Sequence, residues 1–518
     1  VKIQLKGSAE AGAPTVSLQA VTFDGKPVGS PVQSAVEPGK ETEPVEMVVD
    51  MGEEAGLWSE HTPNAYKMNV SVQSSGGTDE ACYDFGLREF KANGTRFEVN
   101  GQPVFLRGTL ECCIFPLTGY PAMQPDYWAK IYRTCKEYGL NHVRFHSWCP
   151  PEAAFHVADS MGIYLQVECG AWAEVGSGKP QDQWLKEESD RILKAYGNHP
   201  SFCMMVYGNE PAGADQVAYL SGLVDYWKSK ASRHVYSSAA GWPYVGNADY
   251  WNAPNPRIQA WGAGLRSIIN REAPRTDYDF AGIIRQDMPT VSHEIGQWCV
   301  YPNFKEIEKY TGVLKAKNLE IFRETLAEKG MADMGEKFLY ASGRLQTLCY
   351  KADIEAALRT PGFAGFQLLD LHDFPGQGTA LVGVLDPFWD DKGYVTGKEY
   401  SMFCNGTVPL IRFPKMVWLN NEVLEVPLEI AHFGENAMPG VTIRLCISTM
   451  DDELLEQRSF TCDLPLGNCI PVGTARCDLS RFKEPVQLLV SAQVENTDIR
   501  NQWHIWVYPA EKKAIDKL

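Results

Sequence analysis

The sequence predicts a chain of several domains, with a central (β/α)8 barrel lying between two β-sandwiches. Three observations predict it. The 518 residues exceed what one hydrophobic core organises and suit about three domains. Both ends carry strands in which apolar and polar residues alternate. Between them, from Phe105 to about Phe403, short β-branched or apolar runs alternate with helical stripes.

At the N-terminal end, Val16, Leu18 and Ala20 alternate with polar residues before the turn dipeptide Asp24-Gly25. Tyr66, Met68, Val70 and Val72 alternate with Lys67, Asn69, Ser71 and Gln73, which gives one buried and one wet face. A β-sandwich over residues 1–95 is expected. Asn100-Gly101 signals a hairpin between "TRFEV" and "QPVFLRG".

The central region, residues 96–402, offers eight strand candidates: "VFLRG" (104–108), "NHVRF" (141–145), "GIYLQVE" (162–168), "SFCMMVYG" (201–208), "RHVYSSA" (233–239), "ADYW" (248–251), "PTVSHE" (289–294) and "GFAGFQLL" (362–369). Helical stripes lie between several of them. Trp128, Ile131, Tyr132 and Cys135 follow Pro125 and stop at Gly139; Leu185, Ile192, Leu193 and Tyr196 form a second; Val217, Leu220, Val224 and Trp227 a third. Eight strands in about 265 residues is the size and period of a (β/α)8 barrel. No fixed short period supports a helical repeat instead. From 403 to 518 strands return: Leu424, Val426, Leu428 and Ile430 alternate, as do Val441, Ile443, Leu445 and Ile447, so a second sandwich closes the chain.

Composition excludes some functions. A net charge of −17 argues against a nucleic-acid surface, and no apolar run approaches the roughly 20 residues of a membrane helix. Val1 replaces an initiator Met and no signal peptide follows, which suggests a processed or trimmed chain. Among the 14 cysteines none forms Cys-x-x-Cys, and adjacent Cys112-Cys113 suits no zinc spacing, so buried free thiols are expected and no metal. Cys462 and Cys469 are spaced to allow a bridge across a short loop.

Functional groups of a barrel gather where its strands end. Glu210 lies just past the fourth strand and Glu294 ends the seventh, 84 residues later. Glu168 ends the third. Alternation on the second strand sets Arg144 and His146 opposite Val143 and Phe145, so they point into the mouth if the apolar pair meets the helices. Two carboxylates facing across a cleft suit glycoside hydrolysis, one protonating the leaving oxygen and the other attacking the anomeric carbon or activating water. Taken singly, each glutamate reads equally well as an N-cap or an ion-pair partner of Arg107, Arg144 or Lys392.

Together the motifs resemble glycoside hydrolase family 2, which includes β-galactosidases, β-glucuronidases and β-mannosidases. "GNHPSFCMMVYGNEP" (197–211) resembles its Asn-His-Pro-Ser…Asn-Glu segment, "HEIGQ" (293–297) the Glu-x-Gly around its nucleophile, and "DFGLREFKANGTRFEVNGQPVFLRG" (84–108) its junction between immunoglobulin-like domain and barrel. The resemblance implies immunoglobulin-like flanking sandwiches, Glu210 as acid/base, Glu294 as nucleophile and Asn209 as partner of the sugar 2-hydroxyl. It implies Arg144 as the arginine steadying the nucleophile, Glu168 as the third-strand glutamate and Tyr250 as the sixth-strand hydroxyl. It also implies a carbohydrate substrate, no cofactor, no membrane insertion, and a periplasmic or extracellular location.

Three departures stand out. "RFHSWCP" places His146 one position forward of the family histidine. Leu369, in "FQLLDLHDF", stands where the family has a tryptophan flooring the sugar site, leaving Trp172, Trp298 or Trp389 to replace it. The family's N-terminal jelly-roll is not represented. "DDKG" (390–393) keeps Lys392 of a uronate-gripping element, but Asp390 replaces its amide and would repel a carboxylate. The sequence therefore suggests a retaining exo-β-glycosidase of galactosidase type, acting on plant, algal or host polysaccharide fragments. The rivals are a β-glucuronidase or β-mannosidase, and a catalytically weak carbohydrate-binding protein.

Overall fold

The computed structural model describes residues 1–5, 13–37, 43–259 and 266–510. Its centre is an eight-stranded parallel sheet: β1 (Leu106–Glu111), β2 (His142–Phe145), β3 (Tyr164–Glu168), β4 (Phe202–Val206), β5 (Val235–Tyr236), β6 (Trp251–Ala253), β7 (Thr290–Gly296) and β8 (Gly365–Leu369). The order is 5-4-3-2-1-8-7-6, so β1 and β8 are neighbours, as a barrel of sequential strands requires. At the remaining edge, Asp249 N–H donates to Tyr236 O at 2.8 Å and Gly241 N–H to Asn252 O at 2.9 Å. These two bonds link the β5 and β6 sides.

Helices cover the sheet as their stripes predict. Pro125–Glu137 buries Trp128, Ile131, Tyr132 and Cys135, and the ring of Trp128 meets Phe145 on the outward face of β2. Gln216–Lys230 differs from expectation by one residue: Leu223 is buried and Val217 is half exposed. Inside the sheet a polar layer replaces the usual branched aliphatics. Gln367 Nε2 donates to Gln166 Oε1 at 2.9 Å, Gln166 Nε2 to Asn252 Oδ1 at 3.1 Å, and Asn252 Nδ2 to Gln367 Oε1 at 3.2 Å. Each amide finds partners, which makes the burial affordable.

The Asn100-Gly101 hairpin forms, with φ of 53° and 81° at its two turn residues. Its strands Arg96–Val99 and Gln102–Val104 join Phe90–Asn93 in a small antiparallel sheet. Phe90 and Phe97 from that sheet share a core with Leu106, Tyr164, Tyr250 and Val291, all at the strand starts, so it plugs the N-terminal end.

The first sandwich is lopsided. Pro27–Ala35, Thr15–Thr22, Ala65–Ser74 and Gly77–Gly86 make a four-stranded antiparallel sheet, faced by a layer whose strands, Lys2–Ile3 and Val45–Glu46, have two residues each. The C-terminal sandwich is fuller, with sheets of three and five strands around Leu424, Val426, Ile430, Ile443, Leu445 and Ile447. Buried Glu355 fastens it to the barrel by accepting from Asn501 Nδ2 (2.7 Å) and Trp503 Nε1 (3.1 Å). Cys462 and Cys469 are both free thiols, so the bridge their spacing allows is not made.

Candidate active site

Arg144 organises the mouth. It is wholly buried on the inner face of β2 and donates from Nε to Glu168 Oε1 (2.6 Å), from Nη1 to His293 O (2.9 Å) and from Nη2 to Asn209 Oδ1 (2.7 Å). Burial alone would lower its pKa, but Glu168 and Glu294 more than offset this and raise it. One guanidinium thus joins the ends of β2, β3, β4 and β7.

Glu210 follows β4 with φ of 37°, a backbone conformation rare outside glycine and concentrated at functional sites. Its N–H donates to Ala240 O at 2.9 Å, which holds the turn against the end of β5. Glu294 lies on β7, with Oε1 3.8 Å from Arg144 Nη1 and Oε2 accepting from Gln297 Nε2 at 3.2 Å. Arg257 Nη1 donates to the Glu294 carbonyl at 2.9 Å and to Gln297 Oε1 at 3.3 Å. Glu210, Glu294 and His293 each bring a polar atom within 4.8 Å of the others. The two carboxylates therefore face one another across a single small space.

His146 stands at the rim, its ring edge-on to Trp172 at 5.5 Å and to Phe374 at 6.2 Å. Burial and then Arg144 push its pKa down to about 3, so the ring is neutral at ordinary pH. Trp172 is 55% exposed beside it, an open aromatic face at the mouth. Trp242, just beyond the end of β5, donates from Nε1 to Pro211 O at 2.9 Å and adds a second aromatic next to Glu210.

Several expected residues are not brought to the pair. Tyr250 lies in the core at the strand starts, its hydroxyl on Gln166 Oε1 at 3.1 Å and its ring against Phe97, because it precedes β6 instead of ending it. Trp298 donates its indole N–H to Asp353 Oδ2 at 3.0 Å and packs against the helix-covered core. Trp389 is buried against His372. Lys392 is spent in a buried pair, donating to Asp373 Oδ1 at 2.7 Å and Gly383 O at 2.8 Å. Asp390 bonds Lys130 and Lys309. The "DDKG" element thus spends Lys392 and Asp390 on ion pairs within the chain.

Other groups at the strand ends carry no signal in the sequence. Glu111, ending β1, is wholly buried and accepts from the Cys113 and Ile114 amides. Burial, countered in part by His372 and those amides, pushes its pKa up to about 7. Asp370, just past β8, accepts from Thr109 Oγ1 at 2.7 Å. His293, Gln297 and Arg257 complete the surroundings of Glu294. A second close group of possible metal ligands, Asp84, Asp159 and His199, lies away from the mouth, and each of its carboxylates already bonds an imidazole: Asp84 to His156 at 2.5 Å, Asp159 to His199 at 2.6 Å.

Comparison with known proteins bears on the fold. Residues 422–509 match a domain of unknown function, DUF8488. Among solved structures, a β-D-mannosidase from Dictyoglomus thermophilum is similar with a TM-score of 0.69 at 15% identity, over 96% of this chain and 63% of that one. The exo-chitosanase CsxA of Amycolatopsis orientalis gives 0.63 at 16%, over 97% and 60%. A β-glucuronidase from Parabacteroides merdae gives 0.58 at 14%, over 96% and 60%. The likeness is one of fold, and the chain spans about 60% of the length of these proteins. Among the described residues, no helix is long and apolar enough to cross a membrane.

Proposed function

We propose that the chain is a retaining β-glycosidase acting at the non-reducing end of a glycan, with Glu294 as nucleophile and Glu210 as acid/base. The observation that carries this is the Glu210–Glu294 pair itself. Two carboxylates from the ends of β4 and β7 share a space narrower than 4.8 Å between their nearest oxygens, with Arg144 and Asn209 bonded beside them. Arg144 and the Gln297 amide both face Glu294, which suits an ionised nucleophile. Glu210 is the more open of the two, which suits a group that must meet a leaving oxygen.

In this reading Glu210 gives its proton to the glycosidic oxygen as that bond breaks, and Glu294 takes the anomeric carbon. Water then displaces Glu294 and returns a proton to Glu210. The named activities of the similar structures, β-glucuronidase, β-mannosidase and exo-chitosanase, support the reaction class. Galactosidase specificity rested on Asp390 repelling a uronate, and Asp390 instead faces two lysines, so the sugar is left to experiment.

A panel of p-nitrophenyl β-galactoside, β-glucuronide, β-mannoside and β-glucosaminide tests the proposal, with Glu210→Gln and Glu294→Gln as controls. Turnover of at least one glycoside, lost by more than about 100-fold in each variant, is expected. Turnover of none, or turnover that survives both substitutions, would sink it.

A further inference from the structure

His293, next to Glu294 on β7, has no role in the scheme so far, yet it lies between the two glutamates. It is fully buried, and a buried imidazole needs partners for both nitrogens. Nδ1 lies 3.3 Å from the Ala253 carbonyl oxygen, which can only accept, so Nδ1 carries a hydrogen. With its hydrogen on Nδ1 alone, the ring presents a lone pair at Nε2; carrying both hydrogens, it presents an N–H there. That nitrogen is 3.3 Å from Glu210 Oε1 and 3.6 Å from Glu294 Oε2.

A lone pair facing a carboxylate repels it, so a hydrogen must lie in one of these two contacts. Glu294 already receives a hydrogen from Gln297 Nε2 and faces Arg144. Glu210 has no other side-chain partner among the described residues, so the hydrogen belongs between Glu210 Oε1 and His293 Nε2. The other charged or titratable groups near the ring are Arg144, bonded to the His293 carbonyl, Arg257, bonded to the Glu294 carbonyl, and neutral His146. Gly241, in the loop after β5, closes the contact from the other side. A Cβ there would stand 3.2 Å from both Glu210 Cγ and His293 Nε2, and its φ of 97° disfavours any side chain.

We propose, resting on the glycosidase reading, that His293 is a positioning residue for the acid/base. It tethers Glu210 through one shared proton, fixes the Glu210–Glu294 gap, and keeps the proton at hand until a glycosidic oxygen takes it. In the first step the proton leaves Glu210 with the departing oxygen while Glu294 bonds the anomeric carbon. In the second, water's oxygen replaces Glu294 there and its proton goes to Glu210, restoring the shared hydrogen.

Two measurements on the full chain test this. The first compares phenyl and dinitrophenyl β-glycosides of the preferred sugar. His293→Leu should lose at least about tenfold more kcat/KM on the phenyl glycoside, whose departure needs a proton, and His293→Gln, which keeps an acceptor near Nε2, should recover part of that loss. Equal losses on both substrates, or no recovery with glutamine, would show a merely structural role and overturn the proposal. The second is ¹⁵N NMR of the histidine rings in wild type and Glu210→Gln, with His293 assigned from His293→Gln. A protonated Nδ1 and an Nε2 resonance that moves in Glu210→Gln are expected; an unmoved Nε2, or a hydrogen on Nε2 alone, would overturn it. Because the second measurement needs no turnover, an inactive wild type would sink the glycosidase reading while the tether is still decided.

Discussion

Replacing Arg144 by methionine should cost more stability than any exposed substitution in the barrel, and a second substitution should restore much of it. Arg144 and Glu168 are both fully buried, and Arg144 makes three bonds of 2.6 to 2.9 Å. Methionine fills much of the volume but leaves the Glu168 charge without a counterion, and among the described residues Glu168 Oε2 already has no hydrogen-bond partner. Breaking a buried pair from one side costs about 3–5 kcal/mol. At roughly 2–4 °C per kcal/mol, the barrel's Tm should fall on the order of 10 °C. Adding Glu168→Gln removes the stranded charge, so the double variant should regain about half the loss or more. Differential scanning calorimetry of the wild type, both single variants and the double variant measures this. A double variant that melts no higher than Arg144→Met would place the cost in packing and not in uncompensated charge, contrary to expectation.

The Lys392 and Glu111 side chains give two further predictions. Lys392→Met should lower stability by about 3–5 kcal/mol while leaving the relative rates on uronides and neutral glycosides unchanged, since the lysine is enclosed with Asp373; a selective loss on uronides would return it to the substrate site. For Glu111 the folded chain holds its proton up to about pH 7, above the ordinary value of 4.5, so stability should fall as pH rises from about 4.5 to 7 and level off beyond. In Glu111→Gln this contribution is absent, so the Tm difference, variant minus wild type, should grow across that window and then stay constant; a difference that is flat with pH would contradict it.

Much of the fold was legible because its signals are local. The stripe from Trp128 to Cys135 is buried as read, and Asn100-Gly101 makes its turn. Arg144 was legible from alternation on a single strand, on the condition, met in the structure, that its apolar neighbours Val143 and Phe145 face the helices. Tyr250 was misplaced because strand phase does not say which end of a short strand a residue occupies; β6 begins one residue later, at Trp251. The Lys392–Asp373 pair was not legible because the two are 19 residues apart and meet only in the folded chain. His293 was hidden for a further reason. Alternation would turn it away from the mouth if Glu294 points in. The register of β7 on β8 shifts between Ser292 and Ile295, and that irregularity lets two consecutive side chains reach the site. No sequence pattern announces such a shift.

Azide rescue separates the roles of Glu210 and Glu294 directly. Glu210→Ala with a dinitrophenyl β-glycoside should form the glycosyl-enzyme quickly and then stall, because no base activates water, and added azide should restart turnover and yield a β-glycosyl azide. Glu294→Ala with azide and a β-glycosyl fluoride should give the α-azide. Reversed anomers would exchange the two roles, and the absence of rescue in both variants would contradict the claim that Glu210 and Glu294 are the catalytic pair.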